Sequence, residues 1–144
     1  MATGTAGTTA RDYQKTLVHY LRIPVTYSDS GISSGVAKSS LPAGAIILRT
    51  NVVLSASFNA QTTNVLTAGL NGTTANNIVS TVTVSAAGFG ATNHVPTGAA
   101  LGALSADTPV YVKYTQTGTA ATQGAANIII EYAVQGDLNS ATGA

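Results

Sequence analysis

Apolar and polar residues alternate with a period of two in several stretches, and this alternation constrains the fold more than any other feature of the sequence. Between Leu17 and Tyr27 the residues fall into two alternating rows, one for each face of a strand. The row that begins with Leu17 contains only apolar side chains and a single histidine, His19. Because successive side chains of a β-strand point to opposite faces, this pattern predicts a long strand with one face in the core. Pro24 lies in the other row and cannot donate a ladder hydrogen bond, which places this strand at a sheet edge or at a bulge.

Further stretches of strand-forming residues follow, separated by turns rich in glycine, serine and asparagine. The run Ile128-Ile129-Ile130 is β-branched throughout, which is typical of a central strand. Ser28–Gly44 is rich in serine and glycine and is predicted to be a loop that ends in the turn Leu41–Gly44. No pattern predicts a helix longer than a turn or two. The remaining strands are predicted at Ala45–Phe58, Asn64–Gly69, Asn77–Val84, Thr97–Leu104, Val110–Thr115 and Ala126–Val134.

This number of short strands predicts an all-β fold built as an antiparallel β-sandwich. A jelly roll, in which two antiparallel sheets pack together, is favoured over an immunoglobulin-like sandwich. The small and polar residues at both ends predict extended terminal arms. We therefore expect a flexible N-terminal arm over residues 1–12, a single β-sandwich domain over residues 13–136 and a C-terminal tail over residues 137–144.

Charged residues are scarce, which limits the classes of function that the chain can perform. Only 8% of the 144 residues are charged, against about 25% in an ordinary globular protein, and the formal net charge is +1. The apolar content of 44% argues against disorder. The absence of cysteine excludes disulfides and thiolate chemistry. Because solubility usually requires a more charged surface, the composition predicts that other protein chains cover much of this one.

Neither nucleic acid nor a membrane is predicted as a partner. Phosphate binding requires a strongly basic face, and a net charge near zero does not supply one. The longest apolar runs are far shorter than the ~20 residues that cross a bilayer. The first ten residues lack the hydrophobic segment of a signal peptide, so synthesis in the cytoplasm is expected.

The few charges are distributed unevenly along the chain. Five of the six basic residues lie between residues 11 and 49, and no Asp, Glu, Lys or Arg occurs from Thr50 to Ala106. The basic side chains are therefore candidates for contacts with an acidic partner protein. A solvated edge is the alternative interpretation, because isolated surface charges contribute little. The candidate contact residues are Arg11, Lys15, Arg22, Lys38 and Arg49.

One tripeptide is compatible with catalysis. Asp29-Ser30-Gly31 matches the motif of retroviral-type aspartic proteases, in which two carboxylates share a proton and a dimer supplies the pair. The same residues are typical of a Ser/Gly turn after a strand, which is the simpler interpretation.

The histidines and the remaining carboxylates form no recognisable catalytic or metal-binding pattern. His19 and His94 have no further ligand at zinc-site spacing. A triad of a serine with His19 and Asp107 lacks a nucleophile motif. Glu131 is the only glutamate, and we expect it in a solvated or salt-bridged outer position instead of a glycosidase pair. Phosphate-binding and dinucleotide-binding motifs are absent too, so no enzymatic activity, cofactor or metal is predicted.

Several segments of strand and turn residues form a diffuse pattern across roughly residues 30–135. These segments are Leu41–Ile47, Phe58, Thr63–Thr67, Thr74–Val79, Val110–Thr115, Thr122–Ala126 and Glu131-Tyr132. Together they resemble small virion proteins of tailed bacteriophages, which decorate or cement the capsid and tend to be jelly-roll-like. The pattern contains no catalytic signature, so the resemblance transfers no functional residue.

The resemblance implies a structural role on the capsid surface of a virion. A protein of this kind binds the outside of the phage head, bridges major capsid protein subunits and self-associates as a dimer or trimer. We expect Ala2–Lys15 and Ser28–Gly44 to contribute to these contacts. A tail or fibre accessory protein and a host-glycan-binding module are the alternatives, although the sequence contains no tryptophan for stacking on sugars.

Overall fold

The computed structural model describes residues 18–86, 88–89 and 93–136, and its regular structure is almost entirely β-strand. These ranges contain eight strands and one 3₁₀ turn, Gly98–Ala100. No helix in the described part of the chain is long and apolar enough to cross a membrane. The strands are β1 (His19–Thr26), β2 (Val36–Leu41), β3 (Ala45–Ala56), β4 (Thr63–Gly69), β5 (Val79–Thr83), β6 (Gly88–Phe89), β7 (Thr108–Thr117) and β8 (Ala125–Val134).

The strands form two four-stranded antiparallel sheets. Sheet I has the order β1-β8-β3-β6, and sheet II has the order β2-β7-β4-β5. The first strand pairs with the last, the second with the seventh, the third with the sixth and the fourth with the fifth. This nested order is that of one long hairpin rolled into two sheets, which is the jelly-roll arrangement. The predicted fold class is therefore confirmed.

The core consists of the side chains that the two sheets turn towards each other. On β8 the side chains of Ile128 and Ile130 are buried, whereas Ile129 between them is partly exposed. The rings of Phe58 and Tyr114 meet in this core with their centroids 4.7 Å apart. Burial of each large apolar side chain contributes about 1.5–3 kcal/mol relative to exposure. The position of β8 between β1 and β3 confirms the prediction of a central strand at Ile128–Ile130.

The other predicted strands correspond to β1, β3, β4, β5 and β7, with ends that differ by a few residues. The prediction of a loop over Ser28–Gly44 is wrong in part, because that range contains β2. The prediction of a strand over Thr97–Leu104 is also wrong, because only a 3₁₀ turn forms there. Gly98 and Gly102 adopt φ angles of 55° and 75°, which interrupt extended backbone.

β1 and β2 are edge strands, and both have features that prevent further strand pairing. Pro24 lies exposed in β1, which confirms its predicted edge position. β2 changes register between Ala37 and Ser39, so Lys38 is the extra residue of a β-bulge. Proline, lysine and bulges are the devices by which natural edge strands avoid pairing with other chains. We therefore expect partner proteins to bind the faces of the sheets and not these two edges.

Candidate partner-contact surfaces

The predicted contact residues do not all lie on one surface. Arg22 on β1 and Arg49 on β3 lie on the outer face of sheet I, on either side of β8. Lys38 belongs to the bulge of β2 in the other sheet. Arg11 and Lys15 lie outside the described residues.

Arg49 forms a two-point ion pair with Glu131, which lies directly opposite it on β8. Nε of Arg49 donates to Oε2 of Glu131 at 2.5 Å, and Nη2 donates to Oε1 at 3.0 Å. These hydrogen bonds and the negative charge of Glu131 raise the pKa of Arg49 above its usual value. Glu131 is only 9% exposed, so its predicted salt-bridged role is confirmed and the predicted solvated position is wrong.

Exposed apolar side chains accompany the arginines on this side of the sandwich. Tyr20 lies opposite Glu131 and is 67% exposed. Nε of Arg22 donates to Oδ1 of Asn127 at 2.9 Å, which fixes one edge of the guanidinium while its terminal nitrogens make no hydrogen bond within the described residues. Tyrosine and arginine are among the residue types enriched in protein interfaces. We define the sheet I outer face by Val18, Tyr20, Arg22, Arg49 and Ile129.

Lys38 and Asp29 form an ion pair that connects the bulge of β2 to the turn after β1. Nζ of Lys38 lies 2.7 Å from Oδ2 of Asp29. The same carboxylate accepts hydrogen bonds from the backbone N–H and the hydroxyl of Thr26. Burial alone would raise the pKa of Asp29, but the bonds from Lys38 and Thr26 outweigh it and hold the pKa below its ordinary 3.8. These contacts favour the turn interpretation of Asp29-Ser30-Gly31 over the protease interpretation.

The two histidines occupy structural positions. The ring of His19 stacks on Tyr132 with a centroid distance of 5.4 Å. His94 exchanges two backbone hydrogen bonds with Thr50 and extends the edge of sheet I. Among the described residues there is no group of three or more histidines and carboxylates that could hold a metal ion.

Hydroxyl side chains dominate the outer face of sheet II. Thr63 and Thr117 lie opposite each other, and their hydroxyls are joined by a hydrogen bond of 2.7 Å. Thr67 lies opposite Lys113. Lys113 is the one lysine or arginine in the described ranges with neither a hydrogen bond nor an ion pair. We define the sheet II outer face by Thr63, Val65, Thr67, Tyr111, Lys113, Thr115 and Thr117.

A cleft of about 310 Å³ lies beside Lys113, between the sheet II outer face and the loop that joins β4 to β5. No described carboxylate lines this cleft. Its polar lining therefore consists mainly of hydroxyl groups around one positive charge. The residues that supply the hydroxyls are Thr67, Thr73, Thr74, Ser80, Thr81 and Thr115.

The loop over this cleft is held by asparagine side chains and by one close backbone approach. Oδ1 of Asn71 accepts the N–H of Thr73 at 2.8 Å, and Oδ1 of Asn77 accepts the N–H of Leu70 at 2.9 Å. A Cβ atom at Gly69 would lie 2.6 Å from the backbone nitrogen of Asn76, so only glycine lets the loop pack this tightly. The shape of the cleft is thus built into the fold.

The predicted contact residues omit Lys113, because the prediction follows the concentration of basic residues in the first third of the chain. The sequence signal that could have identified Lys113 is the alternation of apolar and polar residues in β7. Lys113 stands between Val112 and Tyr114, both buried, which places its side chain in the outward row.

A second cleft, of about 340 Å³, contains no charged side chain. Small residues of the segment around the 3₁₀ turn form much of its wall. Such a lining offers shape and a few hydroxyls but no chemical discrimination. The residues are Leu70, Ala99, Ala103, Leu104, Ser105 and Thr108.

Comparisons with known proteins identify neighbours in fold. No protein-family model and no curated protein matches the sequence. The chain is similar to one in the acidic stable capsid structure of Helicobacter pylori bacteriophage KHP30, with a TM-score of 0.62 and 11% identity over 83% of this chain and 90% of that chain. It is also similar to a chain of the cyanophage Pam1 capsid asymmetric unit, with a TM-score of 0.52 and 18% identity over 81% of this chain and 84% of that one. At these identities the likeness establishes a shared fold, and at that level the resemblance to phage capsid-associated proteins is confirmed.

Proposed function

We propose that the chain is a structural virion protein that binds the outside of a phage head and bridges major capsid protein subunits. In this role it is a decoration or cement protein without enzymatic activity. It self-associates as a dimer or trimer and stabilises the assembled shell. The observation that carries the proposal is the fold shared with chains of two phage capsids over more than four-fifths of each chain.

The surface of the molecule supports a binding role. The sheet I outer face combines the exposed ring of Tyr20 with Arg22 and the Arg49–Glu131 pair. A partly exposed ion pair flanked by exposed aromatic and apolar groups supplies both orientation and area for a protein contact. We propose that this face contacts the major capsid protein. Lys38 is already paired with Asp29, so it contributes less to such a contact than Arg22.

Reconstitution on phage heads tests the function. Heads of the phage that encodes the chain, prepared without this protein, are incubated with the purified protein and imaged by electron cryo-microscopy. We expect ordered density on the outer surface at positions between capsid subunits, and a higher temperature of genome release. Density on the tail alone would indicate a tail accessory protein, and no density on the particle would reject a virion role.

Two exposed apolar truncations test the contact face. Tyr20→Ala should weaken binding to heads about thirtyfold or more, because buried tyrosines are frequent hot spots worth about 2 kcal/mol. Leu101→Ala is the matched control, since Leu101 is 58% exposed and lies outside the sheet I outer face. Equal affinities of the two variants would exclude this face.

A further inference from the structure

We propose that the cleft around Lys113 is a second docking site, and that it binds a carboxylate presented by a neighbouring shell protein. This proposal rests on the proposed function and adds to it the chemistry of one partner contact. The observation that supports the proposal is that Lys113 makes neither a hydrogen bond nor an ion pair within the described residues. It does so although six hydroxyl-bearing residues line the same cleft.

The cleft is chemically suited to an anion with two oxygens. The ammonium of Lys113 offers three donors and no acceptor. The hydroxyls of Thr67 and Thr115 can rotate to donate to the same group, whereas that of Thr81 already donates to the carbonyl of Ser80. Hydrogen bonds between an ammonium and a carboxylate are charge-assisted and roughly twice as strong as neutral ones. No acidic residue lines the cleft, so no carboxylate of the described lining competes with an incoming one for Lys113.

Among the described residues, a second copy of the chain offers Asp107 as its one carboxylate without an ion pair. Asp29 is paired with Lys38, and Glu131 is paired with Arg49. Asp107 is itself engaged, because it accepts the backbone N–H of Ala43 at 2.9 Å. Charge complementarity therefore points to a different protein that carries an Asp or Glu side chain on its surface.

Other anionic partners fit the cleft less well. A nucleic acid requires several basic groups along a face, and the described part of the sheet II outer face has one. A sugar site usually includes an aromatic ring, and no aromatic side chain lines this cleft. The volume of about 310 Å³ corresponds to roughly ten water molecules, which suits one or two side chains of a protein.

The position of the cleft explains how one molecule could bridge two neighbours. The sheet I outer face and the sheet II outer face lie on opposite sides of the sandwich, with both sheets between them. A partner bound at Tyr20 and a partner bound at Lys113 therefore do not compete for space. The preformed loop over the cleft keeps the entropy cost of binding low.

Binding of variants to heads lacking the protein tests the inference. Affinity is measured for the wild type, Lys113→Gln, Lys113→Arg and Gln123→Glu at low and physiological salt. Lys113→Gln and Gln123→Glu each lower the net charge by one, but Gln123 is exposed and does not line the cleft. We expect Lys113→Gln to bind about tenfold more weakly and with less salt dependence, as for loss of one interfacial ion pair. Lys113→Arg and Gln123→Glu should stay within about threefold of the wild type.

Each result has a distinct meaning. If the wild type does not bind heads, the proposed function fails and this inference fails with it. If the wild type binds and Lys113→Gln binds equally well, the function stands and the docking site is rejected. If soluble N-acetylneuraminic acid displaces the wild type from heads while an acetylated tetraglutamate peptide does not, the cleft is a glycan site and the inference is wrong.

Discussion

The hydroxyl of Tyr114 donates a hydrogen bond of 2.6 Å to Oδ1 of Asn64 in the interior of the sandwich. The same Asn64 amide accepts the N–H of Ala60 at 2.9 Å and donates to the carbonyl of Ala60 at 2.8 Å. Two neighbouring strands and the segment that precedes β4 are thus joined through one buried amide. Burial also raises the pKa of Tyr114. Because both lone pairs of Oδ1 are used, each partner of Asn64 contributes to stability.

Removal of the Tyr114 hydroxyl should destabilise the fold without changing its shape. Tyr114→Phe is expected to lower the free energy of unfolding by about 1 kcal/mol, because a buried amide oxygen loses a partner. Urea denaturation followed by circular dichroism measures the change. Tyr111→Phe is the control, since Tyr111 is half-buried and its hydroxyl makes no hydrogen bond within the described residues. Equal effects of the two substitutions would contradict the role of the Asn64 contact.

The ion pair of Asp29 with Lys38 should make stability depend on pH in the acid range. The folded pKa of Asp29 lies below 3.8, so its contribution is present above that value and is lost as the pH falls through the folded pKa. Asp29→Asn should remove this part of the acid transition in unfolding experiments between pH 7 and 2. Lys38→Gln should raise the pKa of Asp29 in an NMR titration, whereas Lys38→Arg should leave it near the wild-type value. An unchanged pKa in Lys38→Gln would show that the hydrogen bonds from Thr26 suffice.

The backbone at Gly124 should tolerate no side chain. Gly124 has a φ of 150°, and a Cβ atom there would lie 2.5 Å from the ring of Phe58. Strain and overpacking together predict that Gly124→Ala costs about 3 kcal/mol or more. Gly102→Ala separates the two causes, because Gly102 has a φ of 75° but open space around it, so only about 1–2 kcal/mol is expected. A small effect at Gly124 in a thermal melt would mean that Phe58 can move aside.

The buried hydroxyl of Thr50 should be a site where stability can be increased. Thr50 is fully buried in β3, and its Oγ1 has no hydrogen-bond partner among the described residues. Thr50→Val removes this polar atom at nearly the same size and should raise the free energy of unfolding by about 1 kcal/mol. The exposed Thr83 provides the control, because Thr83→Val should change stability by less than about 0.5 kcal/mol. A destabilised Thr50→Val protein would indicate that a buried water bonds to the hydroxyl.

The sequence predicts the strands whose apolar residues alternate without interruption. Ile128 and Ile130 identify β8 as a central strand for two reasons. Both residues belong to the inward-facing set of alternating residues, and both side chains are β-branched. β2 is not predicted, because the bulge at Lys38 interrupts the alternation of inward and outward side chains in a segment of small polar residues. Thr97–Leu104 has a suitable composition for a strand, but two glycines with positive φ turn the chain. Local patterns therefore fail where backbone irregularity, which depends on distant contacts, decides the conformation.

The candidate site is less predictable than the fold, because it depends on pairs of residues distant in sequence. Nothing in the local sequence distinguishes Arg22 from Arg49, yet only Arg49 lies opposite a carboxylate on β8. Lys38 is engaged by Asp29 through the geometry of a turn. Lys113 remains unpaired because its neighbours on β4 and β5 are hydroxyl residues. The choice between a free and a paired cation requires the strand register, which no local pattern supplies.

The position of β8 between β1 and β3 also has a consequence for how the chain folds. β1 and β3 pair with opposite sides of β8, which is synthesised after both of them. β1 and β3 therefore remain without their main hydrogen-bonding partner until translation of β8 is complete. Completion of sheet I must then wait for the synthesis of β8, and the many long-range pairings favour rates in the millisecond-to-second range. During that interval the nascent chain exposes unpaired strands that are open to aggregation.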